Sequence, residues 1–317
     1  MIRVGVFRGG PSDEYDISLA SGMNVLNNFP EDKYRKIDVF VDRNSAWHTG
    51  GLERTPDEVA GIIDLAWNSL HGAYGEDGII QQIFEGHKIP YTGSTSLGSA
   101  ISAKKSLAKE IVRRKGIKSP YHYRLTRDEY ERTDSYELFR RAPMPVILKH
   151  PANGSSVATA FASTPEELEE ELNLFFTGGR DEVMLEHHIR GKEITIGVIE
   201  GFRNAPLYVL FPAEVHKSGQ YLTHEERMTS DGLVCPARLP DDELKAIEEA
   251  AQNIFEVFGL RHFATFDFII SPTGIYFLEA DSVPALHNSS YLQKALDANG
   301  IRLSDFVGHV LSLAMKK

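Results

Sequence analysis

Two strongly apolar runs near the carboxyl end, HFATFDFII (262–270) and GIYFLEADSVPA (274–285), are joined by Ser-Pro-Thr and carry three acids within them. A short Pro/Gly connection between apolar runs predicts an antiparallel hairpin. Alternate strand residues share a face, so Glu279 and Asp281 point the same way, and the partner strand brings Asp267 alongside. Three carboxylates on a buried hairpin repel one another unless a cation holds them. Oxygen-only ligands suit Mg²⁺, which bridges carboxylates and nucleotide phosphates, with Mn²⁺ as an alternative. The competing reading, three acids on a solvated face, sits badly with the flanking Phe, Ile and Tyr.

The first hundred residues add a second constraint. IRVGVF (2–7), KIDVFVD (36–42) and GIIDLAWNSL (61–70) read as strands, with helices expected over 18–26 and from about Asp77. That alternation implies an α/β unit, a doubly wound parallel sheet with helices on both faces, which gathers ligands where strands end and helices begin. A chain of 317 residues predicts more than one domain. Its formal charge of −11 disfavours nucleic acid or an anionic membrane as the main partner, yet leaves room for a local basic pocket. The single cysteine, Cys235, excludes an intramolecular disulfide and a cysteine metal site. It fits a reducing cytoplasm and reads as a packed strand-end thiol. The strand-like start leaves no signal peptide expected, and no apolar run approaches the ~20 residues of a membrane span.

Further along, 96–116 reads as one helix ending at Gly116, and 145–150 as a strand. A helix over 164–176 starts with Thr164 as N-cap and Glu167 as its capping-box partner. EVMLEHHI (182–189) and KEITIGVIE (192–200) read as paired strands, and 206–215 as another. Long helices follow over 240–260 and 301–317.

Three loops carry chemistry. HGAYGEDG (71–78) sits at a strand-to-helix junction, where glycines admit a ligand and the helix start offers free N–H groups. His71 and Glu76 there could orient a ligand, and a capped turn is the plainer alternative. NGSSVATAF (153–161) can wrap phosphates with backbone N–H groups and hydroxyls, though it is no P-loop. Lys149, just before it, is either snorkelling or aimed at phosphate. Glu14, in GGPSDEYDIS (9–18), is either a helix-start acid or a grip for a substrate ammonium group.

In this order, strand-GG-x-S-x-E, HG-x-x-GEDG, IPYTGS (89–94), Lys before GSS, E-x-x-x-x-G-x-E (186–193) and D…E-x-D resemble the D-alanine–D-alanine ligases, which are ATP-grasp enzymes. The resemblance covers nearly the whole chain. It implies an ATP-grasp fold, α+β in its ATP-binding part, with domains at 1–103 (amino-terminal, substrate), 104–184 (central) and 185–317 (carboxyl-terminal, metal). It implies ATP and Mg²⁺ as cofactors, D-alanine as substrate, a cytoplasmic setting in peptidoglycan synthesis, and a commonly dimeric state. Lys105 (with Lys104 as the alternative) and Lys149 resemble the ATP lysines, Glu186 the adenine-side acid and Glu193 the ribose acid. Ser155 belongs to the loop that closes on the phosphates. Glu14 resembles the acid for the first D-alanine ammonium, with His71 and Glu76 near that substrate and Ser290 holding the second substrate's carboxylate. Asp267, Glu279 and Asp281 resemble the magnesium ligands.

The chain departs from the family pattern at several places. Asp281 replaces the usual Asn. Thr265 replaces an Arg that stabilises the tetrahedral intermediate. Ala285 stands where a glycine N–H serves as oxyanion donor, and Arg227 and Met228 stand for a Lys-Tyr pair. Arg227 can still contact phosphate and keep a catalytic role. Three functions follow: a D-alanine–D-alanine ligase, a ligase with another acceptor, or a nucleotide-binding regulatory protein with little ligase activity.

Overall fold

The computed structural model describes residues 1–150, 160–216, 219 and 232–316. Among these residues the strands form sheets of five, six and four strands.

The amino-terminal sheet has β1 (Ile2–Gly9) at its heart, parallel to β2 (Tyr34–Val41) on one side and to β5 (Leu65–Asn68) on the other. An unforeseen hairpin, β3 (Trp47–Thr49) and β4 (Leu52–Arg54), extends the β2 edge through Gly50 and Gly51, both at positive φ. Helices α1 (Tyr15–Asn27), α2 (Pro56–Ile62) and α3 (Ile79–Gly86) complete the wound unit. The strand expected over 61–70 starts late because α2 takes its first residues. Pro56 at the first helical turn and a Thr55–Glu58 capping box start that helix. Strand alternation then splits the core. Val4 and Val6 pack with Trp67 towards the carboxyl-terminal helices, while Phe7 packs with Trp47 and Phe84 on the other face.

The single helix expected over 96–116 is two, α4 (Ser96–Ala103) and α5 (Lys105–Arg114), broken at Lys104 with φ −87° and ψ 89°. The halves serve different neighbours. Small residues of α4 let it lie close to the backbone at Phe258 and Gly259, whereas α5 buries Ala108 and Val112 in the core of the large sheet. The four-stranded sheet has the order β6 (His122–Thr126), β9 (Glu182–His187), β7 (Val146–Lys149), β8 (Ala160–Ala162). It is covered by α6 (Arg127–Arg132), α7 (Ser135–Arg141) and α8 (Pro165–Thr177), the last with the expected Thr164–Glu167 capping box.

The six-stranded sheet contains β10 (Lys192–Glu200), β11 (Leu207–Val209), β12 (Ala213–Val215), β13 (Leu233–Val234), β14 (Phe263–Ser271) and β15 (Gly274–Asp281). β9 and β10 were expected to pair, but they lie in different sheets. Gly191 carries the chain across against β14, so close that a Cβ there would come within 2.2 Å of the Ile270 carbonyl. The strand expected over 206–215 is likewise two pieces on either side of Pro212, which has no N–H for the ladder. Cys235 follows β13, half-buried, and burial pushes its thiol up to about 11, as befits an unreactive packed residue. Helices α9 (Asp241–Val257), α10 (Tyr291–Ala298) and α11 (Leu303–Ala314) finish the chain, and α10 and α11 share one core with the amino-terminal sheet.

Candidate active site

The β14–β15 hairpin forms as expected, and its register sets the site. Asp267 lies opposite Glu279 and Thr265 opposite Asp281. The register shifts between Asp267 and Phe268, leaving Leu278 as the extra residue of a bulge. Its carbonyl is taken instead by Lys109 Nζ at 2.6 Å. The acids of this hairpin line one wall of a cavity of about 210 Å³. Glu193 and Thr195 of β10 reach the same cavity, and Thr195 donates its hydroxyl to Asp267 Oδ1 at 2.7 Å.

Helix α5 supplies the positive charge. Lys105 and Lys109 are four apart, on one helical face. Lys105 is buried with its ammonium on Glu279, while Lys104 at the helix break is exposed. Lys109 is fully buried and pairs with Glu186 Oε2 at 2.7 Å. Lys149 of β7 takes Glu186 Oε1 at 2.7 Å. Burial alone would raise the Glu186 carboxyl, but the charges of Lys109 and Lys149 outweigh it and hold it down at about 2. Burial lowers Lys109 to about 8 despite Glu186 beside it. Lys149 is raised, because Glu186 and Glu279 overcome its own desolvation.

The loops after β1 and β5 meet in the same cavity lining. Glu14, His71 and Glu76 bring ligand atoms within 4.8 Å of one another. His71 Nδ1 is 3.3 Å from Glu76 Oε1, and its Nε2 is 3.0 Å from Ser21 Oγ of α1. Burial lowers the His71 pKa, partly countered by Glu14 and Asp281. Burial, then the charge of Glu14, raises Glu76 well above the usual carboxylate range. Asp281 is raised for the same first reason and then by Glu76, while its Oδ1 accepts the Val283 N–H at 2.8 Å.

The structure therefore brings most of the expected residues to one cavity: Glu14, His71, Glu76, Lys105, Glu193, Asp267, Glu279, Asp281 and Ser290 line it. Lys149 and Glu186 are not in its lining; they form a buried ion-paired cluster with Lys109, whose ammonium also holds the Leu278 carbonyl next to Glu279. The three hairpin acids share one wall, but among the described residues the trio within reach of a single ion is Glu14, His71 and Glu76. The donor set of the hairpin is all oxygen, the chemistry a hard divalent ion takes, and Glu279 there carries the Lys105 ammonium. Ser290 is the N-cap of α10, its hydroxyl accepting the Gln293 N–H at 3.4 Å. Ser155, Arg227 and Met228 lie outside the described residues. Lys109 and Ser21 went unread in the sequence. A lysine four residues after Lys105, between buried Ala108 and Val112, was the available signal.

A family model described as "D-ala D-ala ligase C-terminus" matches residues 111–312. The D-alanine–D-alanine ligase of Pelotomaculum thermopropionicum is 32% identical over 99% of this chain and 97% of its own length. That of Desulforudis audaxviator is 31% identical over 99% of each. The solved VanG D-Ala:D-Ser ligase from Enterococcus faecalis superposes with a TM-score of 0.85 at 26% identity, covering 99% of both chains. The ATP-complexed D-alanine–D-alanine ligase from Bacillus anthracis has a TM-score of 0.80 at 24% identity, a likeness of fold, over 100% of this chain and 98% of that one. The chain belongs to the D-alanine–D-alanine ligase family.

Proposed function

We propose that this cavity joins two D-alanines into D-alanyl-D-alanine at the expense of ATP, for peptidoglycan synthesis in the cytoplasm. The observation that carries this reading is the make-up of one cavity: the buried Lys105 on the hairpin acid Glu279, and the Glu14, His71 and Glu76 cluster, in a single lining. The lysine and the hairpin oxygens suit a nucleotide triphosphate, and the acidic cluster suits an amino group.

In this reading residues 1–103 form the substrate domain, 104–184 the central ATP-grasp part and 185–317 the carboxyl-terminal part. Lys105 and Lys149 hold phosphates, Glu186 stands on the adenine side, and Glu193 takes ribose hydroxyls. Asp267, Glu279 and Asp281 would hold Mg²⁺, or Mn²⁺ in its place; bound there it would neutralise charge on the phosphate oxygens. Glu14, beside His71, receives the ammonium of the first D-alanine. A carboxylate oxygen of that D-alanine attacks the γ-phosphorus, the bond to ADP breaks, and an acylphosphate results. The amine of the second D-alanine then attacks the acyl carbon, loses a proton, and inorganic phosphate leaves. The chain's residues contribute alignment and charge compensation, which is where such reactions gain their rate.

A second reading keeps the chemistry and changes the acceptor. Among the described residues, Lys105 is the one lysine or arginine on the cavity wall, and Thr265 and Ala285, two departures from the family pattern, line it as well. ADP formation with Mg-ATP and D-alanine, with mass spectrometry of the product, tests both. A D-alanyl-D-alanine mass supports the first reading. ADP and a ligated product formed only with another amine would replace it with the second, and ATP binding without any product would reject both.

A further inference from the structure

Between Asp281 and Ser290 the chain has neither strand nor helix, yet Ser282, Pro284, Ala285 and His287 form the floor of the cavity. A segment without a ladder must find other partners for its backbone groups. At its midpoint both polar groups of Leu286 are taken by side chains of α1, more than 260 residues away in the chain. Leu286 N–H donates to Ser21 Oγ at 3.0 Å, and Asn24 Nδ2 donates to the Leu286 carbonyl at 2.7 Å. Ser21 and Asn24 are three apart, so one helical face makes both bonds. Ser21 is fully buried, and its Oγ also meets His71 Nε2 at 3.0 Å, the ring that faces Glu76. A hydroxyl has one hydrogen and two lone pairs, so it can serve both neighbours at once.

We propose that Ser21 and Asn24 are positioning residues for acyl transfer: they clamp the backbone at Leu286, hold the Pro284–Ala285 floor in place, and tie it to the His71–Glu76 end of the cavity. The proposal rests on the ligase reading above. When the acceptor amine attacks, negative charge grows on the acyl oxygen, and backbone N–H groups stabilise it only if they are already in place. A loosened floor slows that attack and leaves the acylphosphate to water. Water oxygen then bonds to the acyl carbon, the carbon–oxygen bond to phosphate breaks, and phosphate and free D-alanine are released. ATP is consumed and no dipeptide forms. Phosphoryl transfer does not depend on the clamp and is untouched.

The test is to measure ADP and dipeptide in the same reaction for the unaltered protein, Ser21→Ala and Asn24→Asp. The aspartate keeps the shape of Asn24 and removes its N–H donors, so it stands in should the alanine variant fold poorly. The expected result is a fall of about tenfold in dipeptide formation with ATP consumption largely kept, so that ADP per dipeptide climbs, and an unchanged KM for ATP. The Leu286 amide should also lose protection from hydrogen exchange in Ser21→Ala. A merely destabilised variant loses ADP and dipeptide together. An unchanged ratio in both variants, from an active parent, overturns the clamp alone. A parent that makes no dipeptide overturns the ligase reading itself, and that control separates the two failures.

Discussion

Lys109 is a fully buried ammonium whose partners are Glu186 and the carbonyl of the Leu278 bulge. It thus ties the strand of Glu186 to the hairpin residue just before Glu279. Removing one member of a buried ion pair strands the other in a medium of low polarity, at a cost of about 3–5 kcal/mol. Lys109→Met should therefore lower stability by that order and raise KM for ATP, as read by denaturant unfolding and by initial rates. The pH dependence has a definite sign. Glu186 has an ordinary value of 4.5 and a folded value of about 2, so its contribution is fully present above pH 4.5 and is lost as pH falls through about 2. Without Lys109 the folded value rises towards the ordinary one, and unfolding titrations should show a smaller acid loss that is complete at a higher pH. An acid loss of the same size, running to the same low pH in both proteins, would show that Lys149 alone holds the carboxylate. Thr265, buried and opposite Asp281, bears on a different step. Thr265→Arg would add a fixed cation where charge grows in acyl transfer, and D-alanine-dependent turnover should rise by about tenfold or more. A fall would mean that the pocket has been built around threonine.

Among the elements, α8 tests whether local sequence rules act apart from the site. Its Thr164–Glu167 box closes the helix start with residues that take no part in the cavity lining. Thr164→Ala should cost about 1 kcal/mol in unfolding and leave KM for ATP unchanged. That box was readable because a cap is a local event, fixed by residues three apart. The hairpin of β14 and β15 was readable for a similar reason: its turn is short and its apolar pattern unbroken, so the acids had only one face to share. What the sequence hid was non-local. Nothing in 182–200 says that β9 and β10 join different sheets, because strand partners are chosen by tertiary packing. The break at Lys104 was hidden too, since both halves carry good helical residues and only their distant neighbours differ. The β3–β4 hairpin did leave a signal in Gly50-Gly51, whose positive φ values suit a tight turn, but its three-residue strands show no pattern long enough to read. Lys109 was hidden by its type, since lysine on a helix ordinarily means solvent.

At the scale of the whole molecule, the amino-terminal sheet and the end of the chain share a core. Trp67 of β5 stacks on Phe263 of β14 with centroids 6.1 Å apart and meets Phe306 of α11 edge-on at 6.4 Å; Phe263 and Phe306 are themselves 5.2 Å apart. Phe306 is fully enclosed there. The cavity depends on this joint, because Glu14 and His71 come from the loops of the amino-terminal sheet while Asp267 and Glu279 come from the other side. Phe306→Ala should create a cavity and cost about 3–5 kcal/mol. The two tryptophans of the chain, Trp47 and Trp67, both lie in the amino-terminal sheet, so their fluorescence reports that unit although the substitution is in α11. If the shared core makes one cooperative unit, tryptophan fluorescence and far-ultraviolet circular dichroism should shift together to a lower midpoint with one transition. A fluorescence midpoint that stays put while the helical signal falls early would show that the amino-terminal sheet stands alone, and that the joint beneath the cavity is held by the backbone bonds at Leu286 rather than by these rings.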